Sequence, residues 1–391
     1  VLATPVRTPI GRFGGVFAEL WAPELGGVAA AGALERAGVP ADRVGLVVFG
    51  HGRQAGNGPN TARQAARRAG VPDETPAYTV NMACASSLQA VLAAVQAVAA
   101  GDADVALAGG HEAMSRTPYF LLRARWGYRL GSDELVDGMY RDGFLDPLCG
   151  QLMGETAENL VDEYGIPRAE QDAYAAESQG RAERAIEAGR FEAEIVPVPV
   201  KGRGGAEERV ERDEHPRKGV TADSLARLPP VFRKDGTVHA GNSSGITDGA
   251  AAVLVLAREA ARELGVTPVA HVVDYETVGV DPRRMGIGPV PAVRRLLARQ
   301  GMELSDVELI ELNEAFAAQV LACDRELRFD RDRLNVNGGA IALGHPIGAT
   351  GARITTTLLH EMGRRDAELG LATLCVSGGL GMAVLYAREA A

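Results

Sequence analysis

The chain has 391 residues, 46% apolar, 24% charged and 5% aromatic, a balance that excludes a mainly disordered or fibrous protein and, at ~150 residues per domain, allows two or three domains or one duplicated unit. Forty-one Lys plus Arg against 51 Asp plus Glu leave a net charge of −10, which argues against a general attraction to nucleic acid or anionic membrane but leaves room for a local basic site. The four cysteines, at 84, 149, 323 and 375, have no paired spacing and make no disulfide framework, so a reducing, cytoplasmic setting is expected.

Along the chain there is no secretory leader and no run of ~18 apolar residues. The sequence opens at Val1 without Met, and a short preceding piece is expected. Apolar runs at Leu46–Phe49, Val105–Leu107, Val253–Leu256, Val307–Ile310 and Met382–Tyr386 alternate with helical patterns. They predict an α/β architecture with buried strands, parallel by default. From Tyr78 the order is strand (YTVN), sharp turn at Cys84, apolar helix Leu88–Ala100, strand (DVALAGG). From Leu334 it is strand (LNVN), glycine-rich turn, helix Ile354–Met362, strand (LATLCVSGG). The repeated order predicts two similar halves. Between them, residues 119–242 are irregular, with one strong helix around Pro167–Gly189, a VPVPV run at Val196 and a charged stretch in which Lys201, Arg203 and Arg212 read as a solvated face. This segment reads as a functional or oligomeric insertion. The 48 glycines, about 12% against a usual ~7%, gather at 241–249, 338–351 and 377–381.

Four places carry groups able to do chemistry. Cys84, in NMACASSLQA, falls between a strand and a helix that Ser86 or Ser87 can cap, so the helix dipole favours its thiolate; a buried structural cysteine fits this segment equally well. Asn313 and Glu314, in ELNEAFA, sit where a strand gives way to a helix over Ala315–Cys323, either as ligand-facing groups or as helix caps. His345 lies in NGGAIALGHPIGATG, where Pro346 holds it out of helical conformation and glycines on both sides allow close approach, so the imidazole is presented. Cys375 ends an apolar strand, and the Ser377–Gly379 turn after it exposes N–H groups able to act as oxyanion donors. A dinucleotide reading of GGLGMA fails, because the residues after it are β-like and no acidic ribose partner comes ~20 residues later. The other histidines show no metal-binding spacing.

With these residues in view, the chain resembles the thiolase family, in its acetyl-CoA acetyltransferase (acetoacetyl-CoA thiolase) type. The resemblance runs the full length: VRTPIGRFGG, MGETAEN, AGNSSGITDGAA, MGIGPVPA, NEAFAAQ, GGAIALGHPIGATGARI and CVSGGLG occur in family order. It implies a thiolase fold of two βαβαβ-type halves in layered sheets and helices. The corresponding division is 1–118 plus 243–265, a loop domain over 119–242 for coenzyme A binding and oligomer contacts, and 266–391. It implies that Cys84 takes the acyl group from a thioester, that His345 activates it, and that Cys375, with a pKa near working pH, moves the proton of the second acyl-CoA. Asn313, through a water shared with His345, would form one oxyanion hole, and the N–H groups of Cys84 and Ser377 the other. No tightly bound cofactor or metal is implied. Acyl-CoA is the substrate, met by Arg217, Ser224 and Ser244, with Met153, Phe232, Met285 and Phe316 lining the acyl and pantetheine tunnel. A homo-oligomer, dimer or tetramer, working in fatty acid metabolism with no nucleic acid or membrane partner, completes the expectation.

Three departures from the family pattern stand out: Ala85-Ser86-Ser87 after the nucleophile, Ser377 after the second cysteine, and Leu152 where short-chain members commonly carry His. The last changes the wall of the acyl pocket. A 3-ketoacyl-CoA thiolase of longer-chain or beta-ketoadipyl type is therefore the alternative. A decarboxylating ketoacyl synthase is more distant, since it would carry a second histidine where this chain has NEAFA, and a non-catalytic acyl-CoA binder is the remaining competitor.

Overall fold

In the computed structural model, which describes residues 1–202 and 205–389, the strands and helices that position the site come in this order: β1 (Leu2–Arg7), α1 (Ala22–Ala37), β2 (Leu46–Gly50), β3 (Ala77–Val80), α2 (Ser86–Ala100), β4 (Val105–Ala113), α3 (Met153–Tyr164), α4 (Arg168–Glu187), β5 (Thr247–Leu256), β6 (Ala270–Gly279), α5 (Pro289–Gln300), β7 (Leu309–Leu312), α6 (Ala317–Leu327), α7 (Thr350–Arg365), β8 (Leu369–Val376) and β9 (Leu380–Arg388). Arg203 lies outside the described residues. The strands run β3-β2-β4-β5-β1 and then, through the single pair Leu2↔Ala270, β6-β9-β8-β7. Two half-sheets therefore touch edge to edge. Leu334 makes an isolated parallel bridge to Ile310, beside β7. The LNVN segment holds the place of β3 in the second half without becoming a strand. Apart from isolated bridges, parallel pairing among the named strands joins β3-β2-β4 and β7-β8, while β5 pairs antiparallel with β4 and β1, and β9 with β8 and β6. The sheets are thus mixed: β9 returns beside β8 as a hairpin, and β5 returns beside β4 only after the long 119–242 segment.

Burial on both faces explains the uninterrupted apolar runs. Along β4, Val105 and Leu107 face an outer layer with Leu25, Ala29 and Ala33 of α1, whereas Ala106 and Ala108 face inward. Along β9, Ala383 and Leu385 face α5 and α6, whereas Met382, Val384 and Tyr386 face inward. The inward residues of both half-sheets share one cluster with Leu88, Val91 and Leu92 of α2 and Ile354 and Leu358 of α7. Helices, sheet, central helices, sheet and helices form successive layers, and a buried Leu or Val here contributes roughly 1.5–3 kcal/mol. The stretch 83–100, with a mean hydropathy of 1.6, is apolar and long enough to cross a bilayer, contrary to the expectation that no such run exists. In the fold its first half is the buried core and its last turns, from Val95, are only partly covered.

The two central helices meet at their N-termini. A Cβ on Gly351 would lie 2.4 Å from the Leu88 nitrogen and one on Gly50 2.3 Å from the Ser87 nitrogen, so only glycine permits this approach. The Ser87 hydroxyl accepts the Ala352 N–H at 2.9 Å, fastening one helix start to the other. The Cys84 turn just before α2 and the His345 turn just before α7 are thereby brought side by side.

Candidate active site

Cys84 sits on a strained elbow. Ala83, immediately before it, has φ +44°, a left-handed conformation that costs a non-glycine residue roughly 1–2 kcal/mol. Ser86 holds it there: its hydroxyl accepts the Met82 N–H at 2.9 Å and donates to the Ala83 carbonyl at 2.7 Å. This differs from the sequence expectation, since α2 has no side-chain cap and Ser86 and Ser87 spend their hydroxyls on the elbow and on α7. The thiol is partly exposed, packed beside Met114, Met139, Phe144 and Ile347. Burial pushes its pKa up, opposed by the N–H of Ser377, by Arg53 and by its own N–H, while Glu112 adds to the rise. The expected ease of ionisation is not met: burial outweighs the groups that favour the anion, and the resting group is a thiol.

His345 is 6% exposed. Its Nδ1 lies 2.6 Å from the Thr350 hydroxyl, whose own proton goes to the Pro346 carbonyl at 3.0 Å. Thr350 has one proton and a carbonyl can only accept, so Nδ1 carries the imidazole hydrogen and Nε2 is the free base. Nε2 faces the Asn313 amide nitrogen at 3.5 Å. Burial, then Arg353 and Arg53, lower the imidazole pKa to about 3, with Glu112 opposing; the ring is neutral at physiological pH.

Asn313 is anchored by its N–H to the Thr373 carbonyl at 3.0 Å, and its Oδ1 is buried without a partner. The helix after it starts only at Ala317, with Phe316 in the N-cap position, so neither Asn313 nor Glu314 caps it. Glu314 instead accepts from Tyr174, Ser178, Asn335 and the Ile341 N–H, pinning α4 to the segment that leads to His345.

Cys375, 1% exposed, packs with Met285, Ala315 and Phe316, and Met153 and Phe232 close the same cluster. The Phe232 and Phe316 rings meet edge to face at 6.1 Å. Burial pushes the Cys375 thiol well up, and charge on Cys84 or Cys323 would push it further. The expectation of a pKa near working pH is therefore not met in the resting site. Gly378, beyond Ser377, donates its N–H to Asp146 at 2.9 Å, and an open cleft of about 510 Å³, lined by Asp142, Asp146, Leu148, Met153, Ser377 and Gly378, leads outward. Residues of the 119–242 segment thus wall a cleft at the Ser377–Gly378 turn, and Met153 belongs both to this wall and to the cluster around Cys375.

Cys84, His345, Asn313, Cys375 and Ser377 converge, and Met153, Phe232, Met285 and Phe316 surround Cys375. Arg217 lies farther out: exposed, with its N–H on Gln179 of α4. His215, two residues before it, reaches the Ala342 carbonyl at 2.7 Å. Ser244 donates its N–H to Ala315 at 2.9 Å, but the Ser224 hydroxyl is taken up by the Thr221 carbonyl at 2.7 Å, within its own short helix. Sequence reasoning missed Thr350 and Glu112. Glu112 accepts the N–H groups of Gly52, Arg53 and Gly348 and lies 3.2 Å from His51 Nε2; burial raises its pKa, but His51 and Arg53 hold it below the ordinary carboxylate range. Of the remaining cysteines, Cys323 is buried with its thiol donating to the Gly286 carbonyl at 3.3 Å, and Cys149 is partly exposed.

Such a site can pass an acyl group to Cys84 while N–H groups hold the oxyanion, with a neutral base and a second thiol to handle protons. Comparison with known proteins agrees with that chemistry. Residues 1–259 match the family profile described as "Thiolase, N-terminal domain" and residues 266–388 that described as "Thiolase, C-terminal domain". Acetyl-CoA acetyltransferases from Cupriavidus necator and Pseudomonas aeruginosa are 50% and 51% identical over 389 residues, covering 100% of this chain and 99% of each relative. The crystal structure of the Bacillus anthracis acetyl-CoA acetyltransferase superimposes with a TM-score of 0.96 at 47% identity, over 100% of this chain and 98% of that one. Human mitochondrial 3-ketoacyl-CoA thiolase gives the same TM-score at 41% identity, with the same coverage.

Proposed function

This chain belongs to the thiolase family, and on that premise we propose that it is an acetyl-CoA acetyltransferase, joining two acetyl-CoA into acetoacetyl-CoA and CoA and catalysing the reverse thiolysis. The observation that carries the reading is the pair of free thiols, Cys84 and Cys375, on either side of the Ser377 turn, with His345 held as a neutral base. Cys84 gives its proton to His345 and attacks the thioester carbonyl; the tetrahedral anion rests on the N–H groups of Cys84 and Ser377 and collapses to acetyl-Cys84 as CoA leaves with the proton. After handing its own thiol proton to the again neutral His345, Cys375 removes, as the thiolate, the α-proton of a second acetyl-CoA. Its enolate oxygen is stabilised from the side of His345 Nε2 and Asn313, whose unpartnered Oδ1 suits a bridging water. The carbanion attacks acetyl-Cys84, and the released thiolate regains a proton. Two thiols are required because the first is blocked as a thioester when the carbanion forms.

Arg217 and Ser244 are assigned to coenzyme A, with Ser224 contributing through the backbone of its helix. A division into two sheet halves with 119–242 as a loop domain suits this assignment. A homo-oligomer is supported by the exposed edge strand β3 and by apolar residues left on the loop domain, Trp126 at 85% and Leu130 at 100% exposure. Two working thiols suit a reducing compartment such as the cytoplasm. A longer 3-ketoacyl substrate is the second reading, favoured by Leu152. Incubation with acetyl-CoA and then mass spectrometry tests the first: a 42 Da adduct, the mass of the added ketene unit, appears on Cys84 and is lost in Cys84→Ala. Thiolysis rates on acetoacetyl-, 3-ketohexanoyl- and 3-ketooctanoyl-CoA then rank chain length, and no cleavage of any of the three would overturn the assignment.

A further inference from the structure

Arg53 is a buried cation whose side chain forms no ion pair among the described residues. It is 6% exposed. Its guanidinium makes one hydrogen bond, Nη1 to the Asp142 carbonyl at 3.2 Å, and Nε is buried without a partner. It lies 5.5 Å from the centre of the Phe144 ring, and that ring packs in the same apolar cluster as Cys84. A Cβ on Gly143 would fall 2.0 Å from the guanidinium carbon, so the cleft wall is folded directly onto the charge. The Arg53 backbone shares the Glu112 carboxylate with Gly348, and Ile347 beside it also touches Cys84. Arginine does not lose its proton in a protein interior; its charge acts on the Glu112 carboxylate, which it helps to hold ionised, but the two side chains form no ion pair. Each covalent step proposed for the site creates negative charge at Cys84, as thiolate or as tetrahedral anion.

We propose that Arg53 is a positioning residue for the nucleophile: its fixed charge, held close to Cys84 by Phe144 and Gly143, favours the Cys84 thiolate and the tetrahedral anion formed from it. The other groups acting on the sulfur are the N–H groups of Ser377 and Cys84, the Cys375 thiol and the Glu112 carboxylate. Only Glu112 carries a formal opposing charge, and its lone pairs are engaged by three backbone N–H groups and His51. Arg53 also disfavours the imidazolium of His345, in keeping with a site that rests as thiol and neutral imidazole and is biased toward anion only at sulfur.

The inference rests on Cys84 as nucleophile but not on the acyl substrate, so it is tested by alkylation. Wild type, Arg53→Lys, Arg53→Gln and Arg53→Met are treated with iodoacetamide across pH, and modification of the Cys84 peptide is monitored by mass spectrometry. Loss of the charge in the Gln and Met variants is expected to raise the midpoint of Cys84 alkylation by about one pH unit and to slow acetylation by acetyl-CoA about tenfold at pH 7, with Arg53→Lys close to wild type. Glutamine can keep the Asp142 hydrogen bond, so it separates charge from loop anchoring and carries the test if the Met variant does not fold. A wild-type midpoint in Arg53→Gln, or an equal shift in Arg53→Lys, would overturn the proposal. Normal alkylation shifts without any acetyl adduct would instead count against the thiolase reading alone.

Discussion

Replacing Thr350 with valine keeps the shape of the side chain and removes the oxygen that fixes His345. In the folded protein that oxygen accepts from Nδ1 at 2.6 Å and donates to Pro346. After the change, the Nδ1–H of a ring that is 6% exposed has no acceptor. Leaving a buried donor unpaired costs about 1–3 kcal/mol. The ring can avoid this by moving its hydrogen to Nε2, but there it meets the Asn313 amide nitrogen at 3.5 Å, donor against donor, and the free base needed for Cys84 is lost. Either way the penalty falls on the step in which the thiol gives up its proton. At 1.4 kcal/mol per factor of ten, acetylation of Cys84 should slow roughly ten- to a hundred-fold. The assay is rapid-mix mass spectrometry of the 42 Da adduct with saturating acetyl-CoA, with circular dichroism melting alongside and Thr350→Ser as the rescue. Wild-type acetylation in Thr350→Val, or a serine variant as slow as the valine one, would refute the argument that this hydroxyl sets the imidazole tautomer.

The same contacts set other outcomes. Ser86→Ala leaves the Met82 N–H without its acceptor and should lower stability in chemical denaturation by about 1–3 kcal/mol, whereas Ala83→Gly, which relieves a φ of +44°, should be neutral or stabilising by up to about 1 kcal/mol. Glu112→Gln turns an acceptor of three N–H groups into a partial donor, so it should destabilise the fold, checked by melting, while the loss of its opposing charge should lower the midpoint of Cys84 alkylation. For pH, the folded His345 value of about 3 lies below the unfolded one. The folded state therefore binds fewer protons, and the stability this group allows at neutral pH is lost as pH falls from about 6.5 towards 3. Correspondingly, kcat/KM should show no inflection near pH 6.5 assignable to His345, which a pH–rate profile on acetoacetyl-CoA thiolysis will check.

Which parts of this site can be read from a sequence depends on how far apart their causes lie. The strand, turn and helix around Cys84 are local effects and appear where expected, whereas His345, expected to be presented by Pro346 and its glycines, is packed at 6% exposure. The cluster of Met153, Phe232, Met285 and Phe316 about Cys375 has no such local cause, since its members come from four separate segments. Asn313 shows where local reasoning is insufficient. Its neighbourhood fits a helix cap, but the helix begins four residues later because Glu314 is drawn away to Tyr174 and Ser178 on α4, 140 and 136 residues distant. Glu112 is equally mute in sequence: its partner Gly348 is 236 residues away, and an acidic residue at the end of a strand gives no hint that three N–H groups converge on it.

The electrostatic mismatch at Cys84 has the same origin. A cysteine before a helix is expected to ionise easily, because the dipole is a property of that helix alone. Burial raises the thiol instead, and the layers that bury it come from both halves of the chain, joined where Ser87 accepts the Ala352 N–H across 265 residues. Burial also lowers the His345 imidazole and leaves it neutral. A nucleophile built at such a junction gains little from its own helix. Its anion must be stabilised by groups the packing brings in, namely the Ser377 N–H from the turn after β8 and the guanidinium of Arg53. Neither is adjacent to Cys84 in sequence, so the identity of the reacting groups is legible in the chain, whereas their protonation states become legible only in the fold.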